Sequence, residues 1–382
     1  MGVMQLPPLV EPRGDLSPSD ITRYSRHLLL PGIEAVGQQR LCAARVLVIG
    51  AGGLGSPVIS YLAAAGVGTI GVVDDDVVDY TNLQRQVVHR DADVGRPKTD
   101  SAAEAVGRSN PGVVVVRHRL HLDEDNADDV LSGYDLVVDG SDNFDTRYVV
   151  SDATSAAGIP CVWGSVLRFE GQVSTFWSAA PGGDALTLRD VFPEPPEPGS
   201  VPSCSEAGVL GAVCGVVGSV MAAEAVKLIC GLGDPLLGRL LVFDALTMGW
   251  SELRVQRAHD RPAPRRPARQ PAPTPPVAPA ISATDLSSWL AARERGERTF
   301  RLVDVREPLE HALVAIPGDE LVPMAALEPQ AMARGPVVFY CKTGQRSADA
   351  CRRVVRAGGD ARTLDGGVLA WIKELRPDLP SY

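Results

Sequence analysis

Residues 261–280 read RPAPRRPARQPAPTPPVAPA, with eight prolines, four arginines and no hydrophobe larger than valine. Such a stretch cannot offset its ordering entropy by burial, and proline holds the backbone extended. No single core can therefore run through the 382-residue chain. The stretch reads as an interdomain tether, reaching roughly 60 Å at about 3.1 Å per residue. It implies a first domain over 15–255, a Pro/Arg-rich linker over 256–280 and a second domain over 281–382.

Charge and hydropathy narrow the class. Lys and Arg number 37 against 47 Asp and Glu, a net charge of −10, which argues against nucleic-acid binding. The Gly-rich uncharged run 208–223 is short of the ~20 residues that span a bilayer, and the N-terminus carries no basic-then-apolar signal. No membrane partner and a cytoplasmic location are expected. The seven cysteines (42, 161, 204, 214, 230, 341 and 351) contain no Cys-x-x-Cys pair. They suit neither a disulfide framework nor a zinc site, so no zinc is expected. Cys204 and Cys341 stand apart by their surroundings; the rest read as core filler.

Ser17-Pro18-Ser19-Asp20 is a helix start, and the helix is expected to carry Arg23 and Arg26 on one face. Arg45–Ile49 is a continuous apolar run, as in a buried parallel strand, and it enters Gly50-Ala-Gly52-Gly53-Leu-Gly55 and an Ala-rich helical stretch. Thr69–Val73, Val113–Val116 and Leu136–Val138 read as further strands between helical stretches, which predicts a doubly wound α/β sheet. Gly50, Gly52 and Gly55 satisfy G-x-G-x-x-G, and Asp74 follows Gly50 by 24 positions. A nucleotide would place phosphate on the loop and ribose on the acid, an arrangement equally suited to a nicotinamide dehydrogenase.

The segment Thr81-Asn82-Leu83-Gln84-Arg85-Gln86, with Lys98 in GRPK, turns the reading toward a triphosphate. Departing phosphates need cations, although Arg85 and Lys98 taken singly could be solvated surface charges. Leu136-Val-Val-Asp139-Gly-Ser-Asp142-Asn143 puts two acids and an amide just past a strand's carboxyl end. A carboxylate there could hold Mg²⁺; the same residues could instead cap the next helix.

GAGGLGS, the Asp74/Asp76 pair, TNLQRQ, GRPK and SDN, in this order, resemble the E1-like adenylyltransferases of the MoeB/ThiF type. That resemblance implies an E1-like Rossmann-type sheet, ATP and Mg²⁺. It also implies a small β-grasp sulfur-carrier protein whose C-terminal Gly-Gly carboxylate is adenylated. Gly53 would lie against the nucleotide and Asp74 on the ribose. Asn82, Arg85 and Lys98 would meet the phosphates, and Asp142 would bind Mg²⁺. Arg26 matches an arginine that relatives reach across a homodimer interface. Cys204, at the end of a Pro-rich loop, stands where relatives carry a cysteine able to attack an activated acyl group. Relatives often carry Cys-x-x-Cys pairs where Ala185–Leu188 stand here.

In the second domain, a strand within Thr299–Glu307 and another over Pro336–Cys341 outline a smaller α/β unit. Cys341 falls between a strand end and a helix N-terminus, beside Lys342 and Arg346, a setting that stabilises a thiolate or persulfide. LVDVREPLEH, AIPG, CKTGQRS and LDGGVLAW resemble a single rhodanese module, with Asp319 where alanine is common after AIPG. The resemblance implies a Cys341 persulfide on a loop shaped by Arg346. The pairing is similar to fused MoeB–rhodanese proteins and implies carrier adenylation followed by sulfur transfer. The sulfur donor would be thiosulfate or a cysteine desulfurase. An alternative is E1-like activation of a ubiquitin-like modifier for protein conjugation.

Overall fold

The computed structural model describes residues 6–183, 185–196, 207–257 and 278–380. The described residues pack into two units, one of 6–183, 185–196 and 207–257, the other of 278–380.

In the first unit the described residues form an eight-stranded sheet. Its strands are β1 (Arg45–Ile49), β2 (Thr69–Val73), β3 (Val114–His118), β4 (Leu136–Asp139), β5 (Cys161–Leu167), β6 (Glu170–Phe176), β7 (Arg239–Asp244) and β8 (Gly249–Arg254). Their order is 3-2-1-4-5-6-7-8; the pairs among the first five are parallel and those from β5 to β8 antiparallel. The doubly wound expectation thus holds for β1–β5, and a meander extends the sheet. β1, β2 and β4 are buried almost throughout, which matches their unbroken apolar runs. Strand order reverses at β1, so its carboxyl end opens the crevice where such sheets bind ligands.

Two expectations change. The helix from Ser17 keeps its predicted start: Ser17 accepts from the Asp20 N–H, and Asp20 accepts from the Ser17 N–H. It stops at Tyr24, however, and a second helix runs over Ser25–Leu28. The cause is tertiary. The buried Tyr24 ring packs on Gly66, and its hydroxyl accepts from Asn110 Nδ2 at 2.8 Å. Arg23 and Arg26 therefore lie on separate helices, and Arg23 Nη1 donates to the Ser109 carbonyl at 3.0 Å.

Helix Gly211–Cys230 is long and apolar enough to cross a membrane by length and composition, but most of it is buried in the first unit's core. Cys161, Cys214, Cys230 and Cys351 are buried, and Cys42 is half-buried.

The second unit holds a five-stranded, wholly parallel sheet of β9 (Ala280–Ile281), β10 (Arg301–Asp304), β11 (Glu320–Leu321), β12 (Val337–Tyr340) and β13 (Ala361–Leu364). The order is 11-10-12-13-9, which places β12 and the cysteine that follows it at the centre.

Candidate functional sites

The first unit carries an open cleft at the carboxyl ends of β1, β2 and β4. Gly50 has φ +83°, and its N–H donates to the Val73 carbonyl at 2.8 Å. A side chain on Gly55 would collide with the Gly50 carbonyl oxygen, so only glycine lets the loop fold back onto the helix Gly55–Ala65. Gly53 faces the cleft with Cys214 behind it; a Cβ there would come within 2.9 Å of the Cys214 sulfur.

Asp74 closes the floor. Its carboxylate accepts from the Ala51 N–H at 2.8 Å and the Asp76 N–H at 2.9 Å. Lys98 Nζ reaches Asp76 at 2.8 Å and Asp74 at 3.9 Å. Burial pushes the Asp74 carboxyl up, opposed by Lys98 and the two N–H donors. Lys98 itself is buried, so the solvated-charge reading fails for this residue.

Gly50, Gly52, Gly53, Asp74, Asp76, Arg85, Lys98, Asp142 and Asn143 all line the cleft, whereas Gly55, Thr81, Asn82, Leu83, Gln84 and Arg26 do not. Thr81 Oγ1 donates to Asp79 at 2.6 Å, and its carbonyl accepts from Arg85 Nη1 at 3.1 Å. Asn82 Oδ1 accepts from the Asp79 N–H at 3.1 Å. These residues build the short helix Tyr80–Asn82 that presents Arg85. Asn143 caps the helix Phe144–Ala157 by accepting from the Thr146 N–H at 2.8 Å, so its side-chain oxygen is already engaged. Asp142 is exposed at the cleft. An exposed carboxylate in a cleft also lined by Arg85 and Lys98 is the hard-oxygen donor that Mg²⁺ takes, so the residues present fit that ion.

Of the lining residues that sequence reasoning missed, three bear most on the site. Arg147, buried in helix Phe144–Ala157, donates through Nη2 to the Ser141 carbonyl at 3.0 Å and stacks over Trp163 and Phe144. Beneath it, burial pushes the Asp139 carboxyl up, with Arg147 opposing. Gln86 is buried, and its Oε1 has no hydrogen-bond partner among the described residues. Cys214 is core filler as read, buried in the first unit's core, and it also borders the cleft, because its helix runs directly behind the glycine loop. Only Gln86 left a sequence signal, as the end of the TNLQRQ run.

In the second unit Cys341 is 1% exposed, and its sulfur accepts from the Gly344 N–H at 3.2 Å and from Ser347 Oγ at 3.6 Å. Gly344, φ +98°, turns the loop into the helix Gln345–Arg356. Gly367 lets the next loop close on this one: Val368 N–H donates to the Cys341 carbonyl at 2.8 Å, and a Cβ on Gly367 would meet the Cys341 and Lys342 carbonyls at 2.5 Å. Arg346 pairs with Glu310 at 2.8 and 2.7 Å. Burial raises the Glu310 carboxyl, but Arg346 and the Glu307 N–H outweigh it and hold it below the usual carboxylate range. Asp319 accepts from the Tyr340 hydroxyl at 2.5 Å and faces His311 at 3.2 Å. Cys204 lies outside the described residues.

The two sites define a nucleotide-binding α/β domain joined to a sulfurtransferase-type cysteine loop. Residues 24–263 match the ThiF family and 286–374 the rhodanese-like domain. The "Probable adenylyltransferase/sulfurtransferase MoeZ" of Mycobacterium tuberculosis is 48% identical over 99% of both chains. Mouse "Adenylyltransferase and sulfurtransferase MOCS3" is 39% identical over 98% of this chain and 90% of that one. The "SAMP-activating enzyme E1" of Haloferax volcanii is 48% identical over 65% of this chain and 90% of its own. A crystal structure of E. coli MccB with MccA-N7isoASN has TM-score 0.55 and 23% identity, covering 64% of this chain and 74% of that one; it speaks to fold alone. The chain belongs to the ThiF family and carries a C-terminal rhodanese-like domain. It is an enzyme, an ATP-using adenylyltransferase joined to a sulfurtransferase.

Proposed function

We propose that the first unit adenylates the C-terminal Gly-Gly carboxylate of a small β-grasp sulfur-carrier protein and the second converts it to a thiocarboxylate. The observation that carries this reading is one chain with both a glycine-loop cleft floored by Asp74 and Lys98 and a cysteine loop whose N–H aims at Cys341 Sγ.

The glycine loop would take the phosphates and Asp74 the ribose hydroxyls. The carrier carboxylate attacks the α-phosphorus, and pyrophosphate departs with Arg85 and Lys98 offsetting its charge. Asp142 would hold Mg²⁺, which supplies further charge neutralisation on the phosphates when bound. Arg26 would serve the partner subunit of a homodimer, since it stands outside its own cleft. Thr81–Gln84 act by shaping the turn that carries Arg85.

A Cys341 persulfide, loaded by thiosulfate or a cysteine desulfurase, then attacks the acyl-adenylate carbonyl. AMP leaves, and the carrier is held to Cys341 through an acyl disulfide. A second thiol attacks the Cys341 sulfur and releases carrier thiocarboxylate; Cys204 is the proposed thiol, and an external reductant restores the resulting disulfide. Residues 256–280 act as the tether that raises the local concentration of one unit near the other. The enzyme works in the cytoplasm, and zinc has no part in the reading.

The test is intact mass spectrometry of a MoaD-type Gly-Gly carrier incubated with the full chain, Mg-ATP and thiosulfate. Replacement of one carrier oxygen by sulfur, dependent on ATP and lost in Cys341→Ala, is the expected result. AMP release without sulfur incorporation would refute the second half. A carrier–lysine adduct instead would favour conjugation, the activity suggested by the Haloferax relative's name.

A further inference from the structure

His89 does not line the cleft, yet it is 5% exposed and sits directly behind the glycine loop. Its Nε2 lies 2.9 Å from the Ala51 carbonyl oxygen, and its Nδ1 lies 2.8 Å from Ser101 Oγ. Ser101 Oγ is also 2.9 Å from Asp93 Oδ2. Ala51 is thereby gripped on both sides, its N–H by Asp74 and its C=O by His89. We propose that His89 is the positioning residue that fixes the glycine loop for its nucleotide, with Ser101 as the pivot that keeps the imidazole aimed. This rests on the nucleotide reading of the cleft.

Hydrogen counting gives the device its logic. A carbonyl oxygen only accepts, so Nε2 must carry hydrogen. Burial pushes the imidazole pKa down; the Ala51 bond and Asp93 oppose this, and Lys98 adds to it. A neutral ring with its hydrogen on Nε2 must accept at Nδ1, and Ser101 supplies that hydrogen. Asp93 is still covered, by the Arg90 N–H at 3.0 Å and Arg96 Nη1 at 2.7 Å. When the ring gains a proton, Nδ1 donates to Ser101, and the hydroxyl turns to Asp93. The bond to Ala51 survives both states. The charged groups around the ring are Asp93, Lys98 and, through Ala51, Asp74; a rotating hydroxyl between the ring and Asp93 makes the loop's position independent of the ring's proton.

The test uses the full chain and Mg-ATP binding by calorimetry. His89→Ala should weaken Mg-ATP binding about tenfold, because a glycine loop no longer held through Ala51 must be ordered when the nucleotide binds. His89→Gln, whose amide N–H can reach Ala51, should recover most of it. Ser101→Ala should weaken binding about threefold by freeing the ring. Histidine ¹⁵N shifts, assigned with His89→Gln, should show the Nε2–H tautomer at neutral pH. His89→Ala binding within about twofold of wild type, or an Nδ1–H tautomer, overturns the inference. Should His89→Ala fail to fold, the glutamine variant and the tautomer decide. A wild-type chain that binds no Mg-ATP overturns the nucleotide reading and this inference together.

Discussion

Glu310→Ala is the sharpest perturbation of the sulfur-transfer loop that leaves Cys341 in place. Glu310 accepts from both terminal nitrogens of Arg346, and the two side chains are only 10% and 14% exposed. It also accepts from the Glu307 N–H at 3.1 Å, which caps the helix Pro308–Leu313. Removing the acid leaves a poorly hydrated guanidinium without its carboxylate. Breaking a buried pair from one side costs about 3–5 kcal/mol, and partial rehydration of Arg346 favours the low end, about 3 kcal/mol. For a domain of roughly 100 residues each kcal/mol moves the melting point by about 4–8 °C, so the second unit should lose at least about 12 °C. Residual thiosulfate:cyanide activity after heating reads that unit, and Mg-ATP binding after the same heating reads the other. The thiosulfate:cyanide midpoint should fall by that amount while the binding midpoint stays put. An unchanged midpoint would refute the reasoning, because it would make the pair an energetically neutral one of the surface type.

Other outcomes follow from the same geometry. Gly55→Ala should abolish ATP–pyrophosphate exchange while sparing thiosulfate:cyanide transfer, because its Cβ strikes the Gly50 carbonyl. Asp142→Ala and Arg85→Ala should each lower exchange at least about tenfold, with the same sparing. Cys341→Ala should abolish thiocarboxylate formation with exchange intact; loss of both would refute the division of labour between the units. Glu310 has a depressed pKa, so the stability it contributes is present above its unfolded value of about 4.3 and lost as pH falls through its lower folded value. The heat-inactivation midpoint of sulfur transfer should therefore fall at acid pH, and that fall should vanish in Glu310→Ala.

Local motifs were legible because each is set by its own backbone. The run Arg45–Ile49 into Gly50–Gly55 gave strand, loop and helix in place, and Cys341 lies between β12 and a helix as its neighbours implied. Asp74 and Lys98 are 24 residues apart yet meet, since both follow from the order of strand and helix in a parallel sheet. The sheet beyond β5 was not legible: β5–β6 and β7–β8 are local hairpins, but β6 meets β7 only across more than 60 residues that include the helix Gly211–Cys230, so where the second hairpin docks is decided by contacts far apart in sequence. Tyr24 broke an otherwise plausible helix for the same kind of reason, because Gly66 and Asn110 capture its ring and hydroxyl.

The proline tract, the glycine spacing and the strand–cysteine–helix run suffice to specify two α/β units, a glycine loop at a strand end and a cysteine at a helix start, because each is a property of adjacent residues. Side-chain partners are different. That Arg346 turns to Glu310, that Cys214 backs Gly53, that Asn143 spends its oxygen on a helix cap and that His89 holds Ala51 all depend on which distant segments pack together. Buried polar groups must find partners wherever the fold brings them, and that choice is made in three dimensions.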